Sequence, residues 1–228
     1  QVYLSVGEHD RPPLAYLNPD FCWWLGVLGE WDAAVMKPGR EHVTIAVSGA
    51  HGGHTVDFRG LAHRGMTLVG LTQSFNNGVV TFQTDLADNL ARGDANYLSL
   101  LDAADAYVER NGLDLPLEPE ARTTFPEPAC VSQPLRELDL ASAGVTTIIW
   151  ATGFAPDYSW LEVDTFDANG KPRHQRGVSA ESGIYFLGLP WQSRRGSSFI
   201  WGVWHDAKYI ADHIATQRQY LAYRDAFR

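Results

Sequence analysis

Residues 144–154 read Gly144-Val145-Thr146-Thr147-Ile148-Ile149-Trp150-Ala151-Thr152-Gly153-Phe154. Five successive β-branched residues, Val145 to Ile149, pack well on a pleated surface and lose side-chain freedom in a helix. The run has no polar alternation, the pattern of a strand covered on both faces. It therefore predicts a central parallel strand over 145–151. The strand would end in Ala151-Thr152-Gly153, small residues that let a backbone approach a ligand or another backbone closely. A domain junction is expected at this point.

Outward from this run, other segments carry strand patterns. Val2 to Val6 (VYLSV) is a short strand, His42 to Ser48 (HVTIAVS) a buried one, Met66 to Gly70 (MTLVG) another, and Ile184 to Leu187 (IYFL) a fourth. Between the second and third lies a glycine turn at 49–53 and a short helix over 55–63. Strand, helix, strand is the unit from which parallel α/β sheets are built. Asn77-Gly78 flanked by β-branched residues marks a hairpin. Asp85 to Arg110 predicts a long helix, with Leu86, Leu90, Tyr97, Leu101, Ala104 and Val108 three and four residues apart. Asp85 is placed to cap its start, Asn111-Gly112 to end it, and Gly93 is a weak point inside it. Residues 7–41, rich in Pro, Gly and Trp, and residues 114–136, with five prolines, predict irregular connections. From Trp204, the positions Ala207, Ile210, Ala211, Ile214 and Leu221 predict an amphipathic terminal helix. The expected fold is α/β. Its domains would be 1–150 and 151–228.

Composition narrows the function. The chain has 228 residues, a formal charge of −9 and only two cysteines, Cys22 and Cys130. An acidic chain argues against a nucleic-acid surface, which is usually basic. No apolar stretch approaches the roughly 20 residues of a membrane-spanning helix, and residues 1–6 lack a signal-peptide pattern. Two distant cysteines exclude a disulfide framework and fit a reducing compartment, so a cytoplasmic location is expected. Of the 8 Trp residues, Trp23, Trp24, Trp31, Trp191, Trp201 and Trp204 fall in two clusters, suiting large apolar surfaces or a planar ligand.

Several local patterns could carry chemistry. Gly49-x-x-Gly52-Gly53 follows a strand, but it is not the G-x-G-x-x-G of a pyrophosphate turn; glycine serves there for unusual backbone angles. His51 and His54 form an H-x-x-H pair with no carboxylate cluster beside it, so no metal site is expected. Ser197 or Ser198 with His205 and Asp206 contain the residue types of a nucleophilic triad but lack a G-x-S-x-G elbow. Residues 171–195 carry Lys171, Arg173, Arg176, Arg194 and Arg195 against Glu181, a local net of +4 in the acidic chain. That suits either phosphate binding or pairing with acidic neighbours.

The run ending Ala151-Thr152-Gly153-Phe154 resembles the A-T-G-[FY] motif of flavoproteins of the flavin-containing monooxygenase type. Ser182-Gly-Ile-Tyr-Phe-Leu-Gly188 resembles that family's late strand, and the helix from Trp204 resembles its final helix. Val2-Tyr3-Leu4-Ser5-Val6 is similar to the second strand of its NADPH domain, and segment 42–70 is similar to the matching stretch of bacterial flavoprotein oxidoreductases of this group. The resemblance, carried by residues 151–154 and 182–188, implies three-layer, Rossmann-like dinucleotide-binding character for the α/β fold, and cofactors FAD and NADP. It places Ser5 and Arg11 at the NADP 2′-phosphate, and Ala151, Thr152, Gly153, Phe154, Gly188, Leu189 and Ser197 near the flavin.

Two departures stand out. Neither glycine fingerprint of the family is present in residues 1–228, and both are expected upstream of Gln1. Leu189 stands where many relatives of the wider disulfide-reductase group have Asp. The resemblance thus implies a C-terminal portion of a monooxygenase that inserts one oxygen atom from O2 into a small organic substrate. The catalytic residues are unknown, because the cofactors perform that chemistry. A reductase without oxygenation and a non-catalytic scaffold fragment are the alternatives. By itself the 228-residue chain is expected to be inactive, to bind FAD weakly, and to self-associate or retain a missing N-terminal segment.

Overall fold

A computed structural model describes residues 1–34 and 44–226. The chain divides into two compact units, Gln1–Leu28 with His42–Ala151, and Gly29–Glu41 with Thr152–Arg228. The division between Ala151 and Thr152 lies beside the 150/151 boundary read from the sequence. Nothing in the composition marks 29–41 as part of the second unit.

The first unit runs β1 (Val2–Ser5), β2 (His9–Asp10), α1 (Phe21–Val27), β3 (Thr44–Ile45), β4 (Val47–Ser48), β5 (His54–Thr55), α2 (Phe58–His63), β6 (Met66–Val69), β7 (Thr72–Asn76), β8 (Val79–Phe82), α3 (Leu86–Asn111), α4 (Ala129–Ser132) and β9 (Glu137–Asp139). β1 pairs with β6 in parallel, Val2 opposite Met66 through Ser5 opposite Val69. Such a pair needs a long crossover, here everything from β2 to α2. β7, β8 and β9 form an antiparallel sheet. Asn77 and Gly78 both adopt positive φ, 49° and 83°, the geometry of a two-residue hairpin turn.

Helix α3 organises the unit. Its apolar stripe enters two cores. Leu86 and Leu90 pack with Val6, Leu68 and Val131, while Tyr97, Leu101 and Ala104 pack with Tyr16, Leu17 and Trp24. Each large side chain so buried contributes about 1.5–3 kcal/mol. Asp85 occupies the N-cap position without capping. Its Oδ1 accepts instead from the Leu71 N–H at 3.0 Å. Gly112 ends the helix in the left-handed region at φ 59°.

The strand expected at 145–151 does not form. A strand needs a neighbour to pair its N–H and C=O groups, and none of the described strands pairs with this run. Ile149 and Trp150 are instead 85% and 74% exposed. The strand expected at 42–48 is two short pieces, with Ile45 and Val47 exposed; His42 and Val43 lie outside the described residues. Ile184 to Leu187 contributes one bridge, Tyr185 to Val178, rather than a strand. Sheets among the described residues contain two or three strands, and the parallel pairs are β1–β6 and β2–β3.

The second unit holds β10 (His174–Gln175), β11 (Val178–Ser179) and α5 (Trp204–Ala226). Gly177, at φ 87°, sits under Gln192, Phe186 and Ile210, and a Cβ there would come within 2.3 Å of the Phe186 carbonyl oxygen. Only glycine fits that turn. α5 starts where the sequence places it, yet its buried residues are Asp206 and Ile210 alone among those described. Ile214 and Leu221, expected on an inward face, are exposed. No helix among the described residues is long and apolar enough to cross a membrane.

Candidate functional site

The expected nucleotide-phosphate pair, Ser5 and Arg11, lies in the first unit. Ser5 ends β1. Its hydroxyl donates to the Gly70 carbonyl at 3.0 Å and accepts from the Thr72 N–H and the Thr72 hydroxyl, each at 3.1 Å. A serine hydroxyl has one donor and two acceptor positions, so these bonds use all three.

Arg11 follows β2 and turns inward, its side chain 5% exposed. Nη1 lies 3.2 Å from Asp57 Oδ2 and Nη2 lies 3.0 Å from Asp94 Oδ1. The guanidinium rests 4.3 Å from the Tyr97 ring centre. Arg59 closes the group on the far oxygen of Asp94 at 2.5 Å. Asn96 accepts the Arg11 backbone N–H at 3.0 Å. Beside this cluster, His9 Nδ1 donates to the Gly7 carbonyl at 2.9 Å, leaving Nε2 buried and without a partner. Burial pushes the His9 pKa down; the Gly7 bond opposes that shift, Arg11 adds to it, and Asp94 and Asp10 oppose it.

In the second unit, the residues expected near a flavin fall into two kinds. Gly153 and Gly188 have φ of 83° and 86° with open space beside them, and Phe154 is fully exposed. The Leu189 N–H donates to Gln192 Oε1 at 3.2 Å, and Gln192 Nε2 donates to the Phe186 carbonyl at 2.9 Å. Ser197 is different, being completely buried. Its hydroxyl oxygen accepts the backbone N–H groups of Ser193 and Arg194, each at 3.1 Å, and so holds the turn at 193–198. Ser197 therefore positions backbone and does not present itself to a ligand. Ala151 is the last residue of the first unit and Thr152 begins the longer segment of the second; both are exposed.

Asp206, in the first turn of α5, is also fully buried. Oδ1 accepts from Arg176 Nε at 3.3 Å, and Oδ2 receives no hydrogen bond of ordinary geometry. Burial raises its pKa, but the Ser193 and Ser197 hydroxyls and Arg176 together outweigh that and hold it below the ordinary carboxylate range. The triad reading fails here. His205 stacks on Trp204, and its Nε2 lies 3.8 Å from Asp32.

Four of the five cations in the basic stretch 171–195 pair with carboxylates. Arg173 pairs with Asp164, Arg176 with Asp206, Arg194 with Asp32 and Arg195 with Glu30, at 2.7, 3.3, 2.6 and 2.7 Å. His51 and His54 are exposed, and no cluster able to hold a metal occurs among the described residues. Sequence reading missed Asp57, Arg59, Asp94 and Gln192. Asp94 had a visible signal, a carboxylate bordering the apolar stripe between Leu90 and Tyr97.

No family model matches the chain, and no solved structure matches it. Over 77 residues, 33% of this chain, it is 53% identical to a protein of Geobacillus kaustophilus named an uncharacterized oxidoreductase CzcO-like. Over the same length it is 51% and 47% identical to proteins of Bacillus velezensis and Bacillus subtilis named uncharacterized oxidoreductase CzcO. In each case the match takes in 22% of the relative's length.

Proposed function

We propose that this chain is part of an oxidoreductase that uses FAD and a nicotinamide nucleotide, NADPH in the family it resembles, and that it belongs to the flavin monooxygenase type. The observation that carries the oxidoreductase reading is identity of about half over 77 residues to three proteins named oxidoreductases. The flavin reading rests on the A-T-G-[FY] resemblance at 151–154 and on the order of the segments around it. A three-layer dinucleotide-binding fold is part of the same proposal, as are a cytoplasmic location and a small organic substrate.

The residues present fit a flavin in part. Gly153 and Gly188, bare of neighbours and in the left-handed region, leave backbone open to a planar ring. When bound, FAD would supply the redox chemistry. The protein's contribution would be position: Gln192 fixes the backbone at Leu189, and Ser197 fixes the turn at 193–198. The Ser5 and Arg11 pair does not fit a 2′-phosphate as placed, because both side chains are committed to protein partners.

Oxygen consumption by the FAD-loaded protein with NADPH separates the two oxidoreductase readings. A monooxygenase couples that consumption to oxygenated product from a sulfide, amine or ketone. A reductase passes electrons to an added acceptor and forms no such product. A protein produced from the complete gene that neither holds FAD nor oxidises NADPH defeats both.

A further inference from the structure

We propose that Arg11 is the internal clasp of the first unit and holds no nucleotide phosphate. This inference stands whether or not the flavoprotein reading holds, since it rests on the geometry around Arg11 alone.

Both terminal nitrogens and the flat face of the guanidinium meet protein, while its buried Nε makes no hydrogen bond. Its two terminal nitrogens meet Asp57, just ahead of α2, and Asp94, on α3. Its flat face lies on Tyr97, also on α3. One side chain thus ties the segment after β2 to two helices that are distant in sequence. With Arg59 added, two guanidinium groups meet two carboxylates, and the group carries no net charge. A phosphate dianion reaching Arg11 would sit beside Asp57 and Asp94, and like charges within a few ångströms repel strongly in a partly buried site. The backbone opposes a swing outward. Asn96 holds the Arg11 N–H, Pro12 is fully buried, and a residue before proline is restricted to extended conformations. Ser5, the other half of the expected pair, has no hydrogen-bonding position left.

The forked shape of arginine is essential to this role. A lysine ammonium is a point charge and cannot meet two carboxylates through two separate planar nitrogens. Removing the cation altogether leaves two carboxylates beside one remaining arginine, the costly half of a broken buried pair.

The test is urea unfolding of the 228-residue chain and its variants, with thermal melts in NADP+ and in NAD+ of the protein produced from the complete gene and of the same variants. Arg11→Ala should lower the urea midpoint by about 1 M or more, and Arg11→Lys should lower it by a smaller amount. Asp57→Asn provides a milder variant if Arg11→Ala does not fold, and it too should lower the midpoint. NADP+ should raise the melting temperature of the wild type no more than NAD+ does, and Arg11→Lys should leave that comparison unchanged. The proposal is overturned if Arg11→Ala or Arg11→Lys keeps the wild-type midpoint. It is equally overturned if NADP+ stabilises the wild type more than NAD+ and that advantage disappears in Arg11→Lys.

Discussion

Gly93 of α3 lies directly against His9: a Cβ built at position 93 would come 2.4 Å from His9 Nε2. A glycine inside a helix normally costs about 1 kcal/mol relative to alanine. Here it makes room for an imidazole that is itself pinned by the Gly7 carbonyl and by the edge of Phe58, at 4.5 Å between ring centres. Gly93→Ala should therefore destabilise the protein by about 1–3 kcal/mol, the usual cost of overpacking. The same substitution made in a His9→Ala background should be neutral or stabilising. Urea unfolding of the two single variants and the double variant measures this directly.

His9 should make stability depend on pH. Its folded-state pKa lies below the ordinary value because protonation would charge a buried ring beside Arg11. The unfolded chain takes up that proton more readily, so the contribution is complete above about pH 6.5 and is lost as pH falls below it. His174, likewise lowered by burial, acts in the same direction, with Asp206 opposing. The melting temperature should fall between pH 7.5 and pH 5.5. His9→Asn should flatten that fall, and an unchanged slope would remove His9 from the explanation.

Asp206→Asn tests the first turn of α5. The change leaves Arg176, which also lies over Tyr209 at 4.4 Å, without a charged acceptor. A lost charge-assisted hydrogen bond of this kind costs about 1.5–3 kcal/mol. The Asp206 carboxyl is held below the ordinary range, so its contribution is present at neutral pH and is lost as pH falls through that depressed value. The stability gap between wild type and Asp206→Asn, measured by urea unfolding, should be open at pH 7 and narrow in acid below pH 4.

Titration calorimetry with FAD on the 228-residue chain should show no binding at micromolar affinity or better. Pyrophosphate binding in a dinucleotide fold uses a glycine turn and a helix N-terminus. Residues 1–228 contain no G-x-G-x-x-G turn following a strand. Each missing charge-assisted bond removes about 1.5–3 kcal/mol. A stoichiometric yellow complex formed by this chain alone would contradict the reading of residues 49–53 as a structural turn.

Local signals in the sequence were legible where one segment decides its own structure. The stripe from Leu86 to Ala104 encodes α3 through spacing alone, and Asn77-Gly78 encodes its hairpin through backbone angles. Trp204 marks the start of α5. Strand formation at 145–151 was not legible in the same way, because β-branched residues state a preference while pairing needs a partner from elsewhere in the chain. The helix cap at Asp85 went astray for a related reason: the Leu71 N–H, far in sequence, competes for the same carboxylate. In the candidate site, Gly153 and Gly188 have positive φ and open space beside them. The partners of Arg11 were not legible, because Asp57 and Asp94 are separated from it by 46 and 83 positions. Charge in a sequence does not reveal which carboxylate will be its neighbour.

The central claim is that this chain belongs to an oxidoreductase working through a flavin and a nicotinamide nucleotide. The protein produced from its complete gene, reconstituted with FAD and held under anaerobic conditions, provides the most direct measurement. The account predicts visible flavin absorption in stoichiometric amount, bleached on addition of NADPH or NADH. A colourless protein that retains no FAD, or a bound flavin that neither nucleotide reduces, would contradict it.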